Sequence, residues 1–172
     1  AQGRFSPRSL RIYLAIEALF FYGLVLACWS RYNPDDPFHI LRHTFSYLGS
    51  FNPDRNPEGW WLFTIAMCGW GLANIPLALF VGRHLSSVTP HGAKKVTVLL
   101  VTGCVGIILV GLFPDARTEM VGSLRWTTAH YFAALVLVLG FLIGIPWATM
   151  LVQRTARDSQ LDDFTRRAFQ RA

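Results

Sequence analysis

The chain has 172 residues, of which 52% are hydrophobic and only 15% are charged, and it carries a formal net charge of +6. A soluble globular domain averages about 25% charged residues, so the composition excludes a disordered chain and argues against an ordinary soluble enzyme. The mean hydropathy of +0.35 indicates an integral membrane protein. At this length we expect one membrane domain over residues 1–172.

Four apolar runs are long enough to cross a bilayer as helices. About 20 apolar residues span a hydrocarbon layer of roughly 30 Å, and no run alternates as a barrel strand would. The predicted spans cover residues 12–29, 60–82, 96–113 and 128–152, followed by a tail over residues 153–172. The predicted fold class is therefore all-α, a polytopic bundle of four transmembrane helices.

An acidic residue, Glu17, lies inside the apolar part of the first span. Ionisable groups are costly in lipid and are taken as functional by default. A structural hydrogen bond to another helix explains Glu17 equally well, so both interpretations stay open. This span lacks a small-residue cleavage site, which favours a retained helix over a removed signal peptide.

The segment between the first two spans, residues 30–59, is too patterned for a passive connector. Apolar residues recur in it at helical spacing: Phe38, Leu41, Phe45 and Leu48. This spacing predicts a short amphipathic helix over residues 38–49 that lies at the membrane interface.

Two histidines of this segment, His39 and His43, are four residues apart and would share one helical face. With His130 from the start of the fourth span, and Asp54 or Asp115 as an oxygen ligand, they would make a metal site. Interfacial histidines that bind no ligand are commoner. We therefore predict no metal and no other cofactor. If a metal does bind, His39, His43 and His130 are its candidate ligands.

The later spans show patterns that concern helix packing. Small residues recur at four-residue spacing, which lets helices approach closely: Gly69 and Ala73, Thr102 and Gly106, and Gly140, Gly144 and Ala148. Pro76 is expected to bend the second span, and Asn74 lies close enough to hydrogen-bond a carbonyl that the proline frees. A polar cavity at Asn74 is the alternative interpretation.

Basic residues divide unevenly between the two sides of the predicted topology. Eleven of them lie in the N-terminal segment, the connection between spans two and three, and the tail, whereas five lie in the other loops. By the positive-inside rule this predicts cytoplasmic N- and C-termini in a bacterial inner membrane. The net charge then needs no nucleic-acid partner. The arginines and apolar residues of the tail predict a short helix held on the cytoplasmic surface by anionic lipids.

The run Leu41–Ser50 (LRHTFSYLGS), followed by Asn52-Pro53 and a span that opens with Trp60-Trp61, resembles the prokaryotic membrane family catalogued as domain of unknown function 998. That family also shows a Gly-Leu-Phe-Pro-Asp-like step after its third span and a histidine at the start of its fourth, matched here by residues 111–115 and by His130. A more distant likeness runs to the Frag/DRAM/Sfk group, whose members are associated with lipid handling. The resemblance implies a fold and the location of a site, and no reaction.

Two features depart from the family pattern. Relatives usually have more spans, and Tyr47 stands where they carry an acidic residue directly after the serine of the loop motif. If that acid takes part in chemistry, this chain lacks it.

Three classes of function are compatible with these observations. We favour an accessory or assembly subunit of a membrane protein complex. The alternative is an enzyme or binder that acts on membrane lipids at the outer leaflet through a cluster of His43, Ser46, Asp115 and His130. Transport is less favoured, because only Asn74 and the Thr102 region offer a polar pathway. The sequence pairs no nucleophile with a base, so it does not decide whether the protein is an enzyme.

Overall fold

The computed structural model describes residues 5–87, 89–115, 120–121 and 124–169. Most of them belong to four α-helices: α1 (Pro7–Trp29), α2 (Trp60–Ser86), α3 (Pro90–Leu112) and α4 (Trp126–Phe169). All four are long and apolar enough to cross a membrane. The predicted all-α class with four membrane-spanning helices is thereby confirmed, with one short antiparallel ladder, β1 (Met120–Val121) and β2 (Leu124–Arg125), before α4.

The helices extend beyond the apolar runs that predicted them, because backbone hydrogen bonding continues where hydropathy falls. The start of α1 at Pro7 is fixed by Ser6, whose hydroxyl accepts the Ser9 backbone N–H at 3.1 Å. The end of α4 lies at Phe169, well past Val152. The predicted lipid-binding face of the tail lies outside the residues whose side chains the structure describes.

The interfacial helix predicted over residues 38–49 is not confirmed. Only Phe45–Gly49 is helical, as a five-residue 3₁₀ helix. The apolar positions do not share one face: Phe38 is buried, whereas Leu41 is 86% exposed. The helical spacing in the sequence therefore does not correspond to one buried helical face.

The helices pack in chain order, α1 on α2, α2 on α3 and α3 on α4. A Cβ atom at Gly140 would lie against the backbone of Gly103, and one at Gly106 would lie against Leu137. These glycines let α3 and α4 approach closely, so part of the predicted small-residue pattern is used inside the bundle.

A polar contact joins α1 to α2 in the middle of the bundle. The carboxylate Oε1 of buried Glu17 accepts a hydrogen bond from Asn74 Nδ2 at 2.6 Å, and the same amide donates to the Trp70 carbonyl at 2.9 Å. The carbonyl that Pro76 leaves without its usual helical donor is that of Leu72. Asn74 therefore binds a neighbouring helix and not the carbonyl that the sequence suggested.

Candidate functional site

Both long connections of the chain meet at one end of the bundle. Neighbouring helices run antiparallel, because two contacts of each pair follow opposite chain directions: Glu17 with Asn74 and Phe20 with Gly69, Gly71 with Ile108 and Gly82 with Thr97, and Leu100 with Gly144 and Gly106 with Leu137. The end that carries residues 30–59 and residues 113–115 is called the long-loop end. The opposite end, with the connection between α2 and α3, is called the short-loop end. All four residues of the predicted lipid cluster lie at the long-loop end.

A buried ion pair ties the two loops together. Arg55 Nη1 lies 2.9 Å from Asp115 Oδ2, and the residues are only 8% and 4% exposed. The Ser50 hydroxyl donates to the Asp115 carbonyl at 2.7 Å, and the Arg55 guanidinium lies 3.5 Å from the centre of the Tyr47 ring. The ion pair and the cation–π contact offset part of the cost of burying the two charges, and the Ser50 hydrogen bond holds the backbone of Asp115.

A second buried group closes the long loop onto the start of α2. The Asn56 side chain is fully buried, and its Nδ2 donates to the carbonyls of Leu48 at 2.7 Å and Cys28 at 3.2 Å. Its Oδ1 accepts the Gly59 backbone N–H at 3.1 Å. One side chain thus satisfies buried backbone groups of three segments, as buried polar groups require.

His43 lies in an aromatic stack at the same end. Its ring is stacked between those of Tyr32 and Tyr47, with both centroid distances 5.8 Å. Its Nδ1 accepts the His39 backbone N–H at 3.1 Å, and its Nε2 lies 3.7 Å from Asp36 Oδ2. An accepting Nδ1 carries no proton, so the neutral ring has its proton on Nε2, toward the carboxylate.

Tyr32 shares that stack and is itself buried. Burial raises the pKa of the Tyr32 phenol above its ordinary value of 10.0, whereas the positive charge of Arg55 acts to lower it. The carboxylate of Asp36 adds to the increase. Tyr32 therefore holds its proton more firmly than an exposed tyrosine.

The two remaining residues of the predicted cluster have separate partners. His130 is buried, and its Nδ1 lies 2.7 Å from the Phe113 carbonyl, which can only accept, so the ring donates from Nδ1. The Ser46 hydroxyl pairs with the Thr44 hydroxyl at 3.1 Å, near the surface.

The structure therefore places His130 against the turn over residues 113–115, which contains Asp115. The described contacts of His43 and Ser46 are with other residues. His43 connects to Asp115 indirectly, through Tyr47 and Arg55. A shared pocket for all four stays a prediction.

The metal hypothesis gains no geometric support from the described part of the chain. Within it, no group of three or more His, Cys, Asp or Glu side chains is arranged to hold a metal ion. The Nδ1 atom of His39 accepts the Leu41 backbone N–H at 3.3 Å. The Nδ1 atoms of both loop histidines are thus occupied by backbone donors.

An open cleft of about 440 Å³ lies next to the aromatic stack of His43, because Tyr32 belongs to its lining. Residues 30–34 line one side, and Pro53, Pro57 and Glu58 line the other. Arg31 contributes a cation to the lining, and its guanidinium lies 6.0 Å from the centre of the Trp61 ring. The cleft therefore offers one cation and one carboxylate at the long-loop end.

Sequence reasoning missed Arg55, Asn56 and Ser50. Each pairs with a residue of another segment, so spacing along the chain gives no sign of them. A charge argument was available for Arg55: it is a basic residue in an acid-rich loop, and the other loop of the same end carries Asp115.

The family described as "Protein of unknown function (DUF998)" matches residues 14–168, and the chain therefore belongs to it. The family predicted from the loop motif is thereby confirmed, whereas the likeness to the Frag/DRAM/Sfk group stays a prediction. No curated protein and no solved structure matches the chain.

Proposed function

We propose that this protein is an accessory or assembly subunit of a larger membrane complex, and that the exposed face of α1 contacts the partner. Gly23 supports this most directly, because nothing lies within 4 Å of the position that a Cβ atom would take there. The other glycines of the four helices each lie within contact distance of a side chain or backbone on another helix. Gly23 and the exposed Ala27 form a small-residue step of the kind that lets a second helix pack closely.

The polar residues of the long-loop end also favour a non-catalytic role. Asp115 and His130 hold the turn after α3, and His43 lies stacked between two tyrosines. The Ser46 and Ser50 hydroxyls and the Cys28 thiol bond to another hydroxyl or to backbone carbonyls, and not to a histidine or carboxylate that would act as a base. These groups stabilise the loops, which leaves the helix faces as the surface for function.

Copurification of the tagged full-length chain from native membranes tests this proposal. We expect a membrane protein at a fixed ratio, and we expect Gly23→Leu to reduce its recovery at least tenfold because the larger side chain blocks close packing. Ala15→Leu is the matched control, since Ala15 is also exposed on α1 but lies on the other flank of its exposed face. Equal recovery with both variants, or no stoichiometric partner at all, would reject the proposal.

We also propose that both termini are cytoplasmic and that the long-loop end faces outward, in a bacterial inner membrane. The support is the distribution of basic residues. A membrane-impermeant maleimide added outside is expected to label Asp54→Cys but not Ser87→Cys, both at exposed positions. The native protein is the control, because its three cysteines lie within the helices. The opposite labelling pattern would invert the topology.

Lipid binding at the outer leaflet is the second candidate, and one observation favours it. The Asp115 atom Oδ1 is buried and has no hydrogen-bond partner among the described residues. A lipid ammonium or hydroxyl donor would satisfy it. His130→Ala is then expected to lose bound lipid while the protein still inserts and purifies. Loss of folding would instead assign His130 a purely structural role.

A further inference from the structure

A groove of about 290 Å³ lies at the short-loop end, between the end of α2 and the start of α3. Its lining includes two basic residues, Arg83 and Lys94. Leu79 and Val98 form an apolar wall of the same groove. A Cβ atom at Gly82 would collide with the Thr97 hydroxyl. The helices therefore approach closely at Gly82, and the side chains around it form the rim of the groove.

The two cations of this groove have no acidic partner among the side chains that the structure describes. Both are exposed, and neither takes part in the ion pairs found among the described residues. Residues 60–112, which include all of α2 and α3, contain no aspartate or glutamate. The groove therefore presents uncompensated positive charge, which favours an anionic ligand.

The apolar and basic parts of the groove lie at different depths. Leu79 is one helical turn before Arg83, and Val98 is one turn after Lys94. Because a helix rises about 1.5 Å per residue, the apolar wall lies about 6 Å closer to the middle of the bundle than the cations. An amphipathic molecule with an anionic head and apolar chains matches this arrangement.

We propose that the groove binds an anionic phospholipid, with its phosphate between Arg83 and Lys94 and its first acyl carbons along Leu79 and Val98. Inorganic phosphate would meet the same two cations but would gain nothing from the apolar wall. The inference depends neither on the proposed partner of α1 nor on the orientation of the chain.

Native mass spectrometry of the full-length protein in detergent tests the charged part of the site. We expect phosphatidylglycerol to be retained in preference to phosphatidylcholine, and Arg83→Gln/Lys94→Gln to weaken its affinity about 30-fold, from about fivefold for each basic residue near a lipid phosphate. Arg8→Gln/Arg11→Gln is the matched control, because it removes the same charge from exposed positions of α1 at the same end. Equal weakening by both variants would show diffuse attraction and overturn the site.

A second variant tests the apolar part without changing charge. Val98→Trp places a larger side chain in the apolar part of the groove, because Val98 lines the groove and is 58% exposed. We expect it to reduce phosphatidylglycerol binding and to leave the weak binding of inorganic phosphate unchanged. Retention of the lipid by Val98→Trp, or inorganic phosphate that displaces it at equal concentration, would identify a free-anion site and overturn the lipid proposal. This variant also decides the question if the doubly neutralised protein fails to fold.

Discussion

The two ends of the bundle treat their charged groups in opposite ways. At the long-loop end, Arg55 and Asp115 are buried against each other, and Asn56 is buried with three backbone partners. At the short-loop end, Arg83 and Lys94 are exposed and lack an acidic partner within the described residues. One end is a cap in which the buried charges are paired with each other, whereas the other presents charge to its surroundings.

A count of basic residues therefore does not reveal what the individual residues do. Arg55 and Arg83 each add one positive charge to the total, yet one stabilises the fold and the other is available to a ligand. The determining factor is burial, because a charge removed from water requires a partner and an exposed one does not. Equivalent substitutions at the two ends should therefore have very different effects.

The largest contrast is expected between Arg55→Met and Arg83→Met. Removal of Arg55 leaves Asp115 buried without its counter-charge, which costs about 3–5 kcal/mol in the free energy of unfolding. Removal of exposed Arg83 is expected to change it by less than about 0.5 kcal/mol. Unfolding by denaturing detergent in mixed micelles measures both values.

The double variant Arg55→Met/Asp115→Leu sharpens the same comparison. Replacement of a whole buried ion pair by apolar side chains is often neutral, so we expect most of the loss to be recovered. A double variant as unstable as Arg55→Met alone would show that the pair contributes something other than charge compensation, and the explanation by burial would fail.

Asn56→Ala is expected to cost less, about 2 kcal/mol, because it leaves the buried, neutral Gly59 N–H without its acceptor. The carbonyls of Leu48 and Cys28 each lose one donor but keep another, the Cys28 thiol and the Arg31 N–H respectively. Ser86→Ala at the short-loop end is the control, since it removes one exposed hydrogen bond to the Arg83 carbonyl. Equal stability losses would show that the long-loop end is no better ordered than the short-loop end.

Much of the fold follows from the sequence, because hydropathy acts over a contiguous run and is visible locally. The four helices were predicted in this way, but α3 begins at Pro90 and not at residue 96. A proline at the first helical position after Thr89 is a local signal that marks this start. The helix predicted over residues 38–49 is not found, because the periodicity was taken to mean one buried face. In the structure this segment is mostly a loop, in which Phe38 is buried and Leu41 is exposed.

The site could be predicted only in part, because its contacts join distant residues. Asp115 and His130 lie at one end of the bundle, as the order of the predicted spans along the chain indicates. The partner of Asp115 lies 60 residues away in the chain, and no local spacing encodes that pairing. The stacked partners of His43 are Tyr32, which precedes it in the loop, and Tyr47, which follows it. The sequence does not indicate the loop conformation that brings these rings together.

A smaller effect is expected between the two ends, at Glu17. Glu17→Leu removes the acceptor of the Asn74 amide between α1 and α2, and hydrogen bonds between membrane helices contribute about 0.6–1.7 kcal/mol. Glu17→Gln keeps an oxygen at that position and should retain most of the stability in the same mixed-micelle unfolding measurement. If both variants are as stable as the native protein, the carboxylate is not needed to hold the helices, and its functional interpretation gains weight.

The smallest expected effect is a dependence of stability on pH at the long-loop end. Because the pKa of Tyr32 is raised above 10.0 in the folded protein, the folded state keeps the phenol proton at a pH where the unfolded chain has lost it. The resulting stabilisation is complete below pH 10.0 and is lost as the pH rises through the folded-state pKa.

Tyr32→Phe should abolish this part of the pH dependence, and phenolate absorbance should show one tyrosine fewer titrating late. If Tyr32→Phe leaves both the absorbance and the pH dependence unchanged, the stack around His43 is less shielded from water than its geometry indicates, and the two ends differ less than their ion pairs suggest.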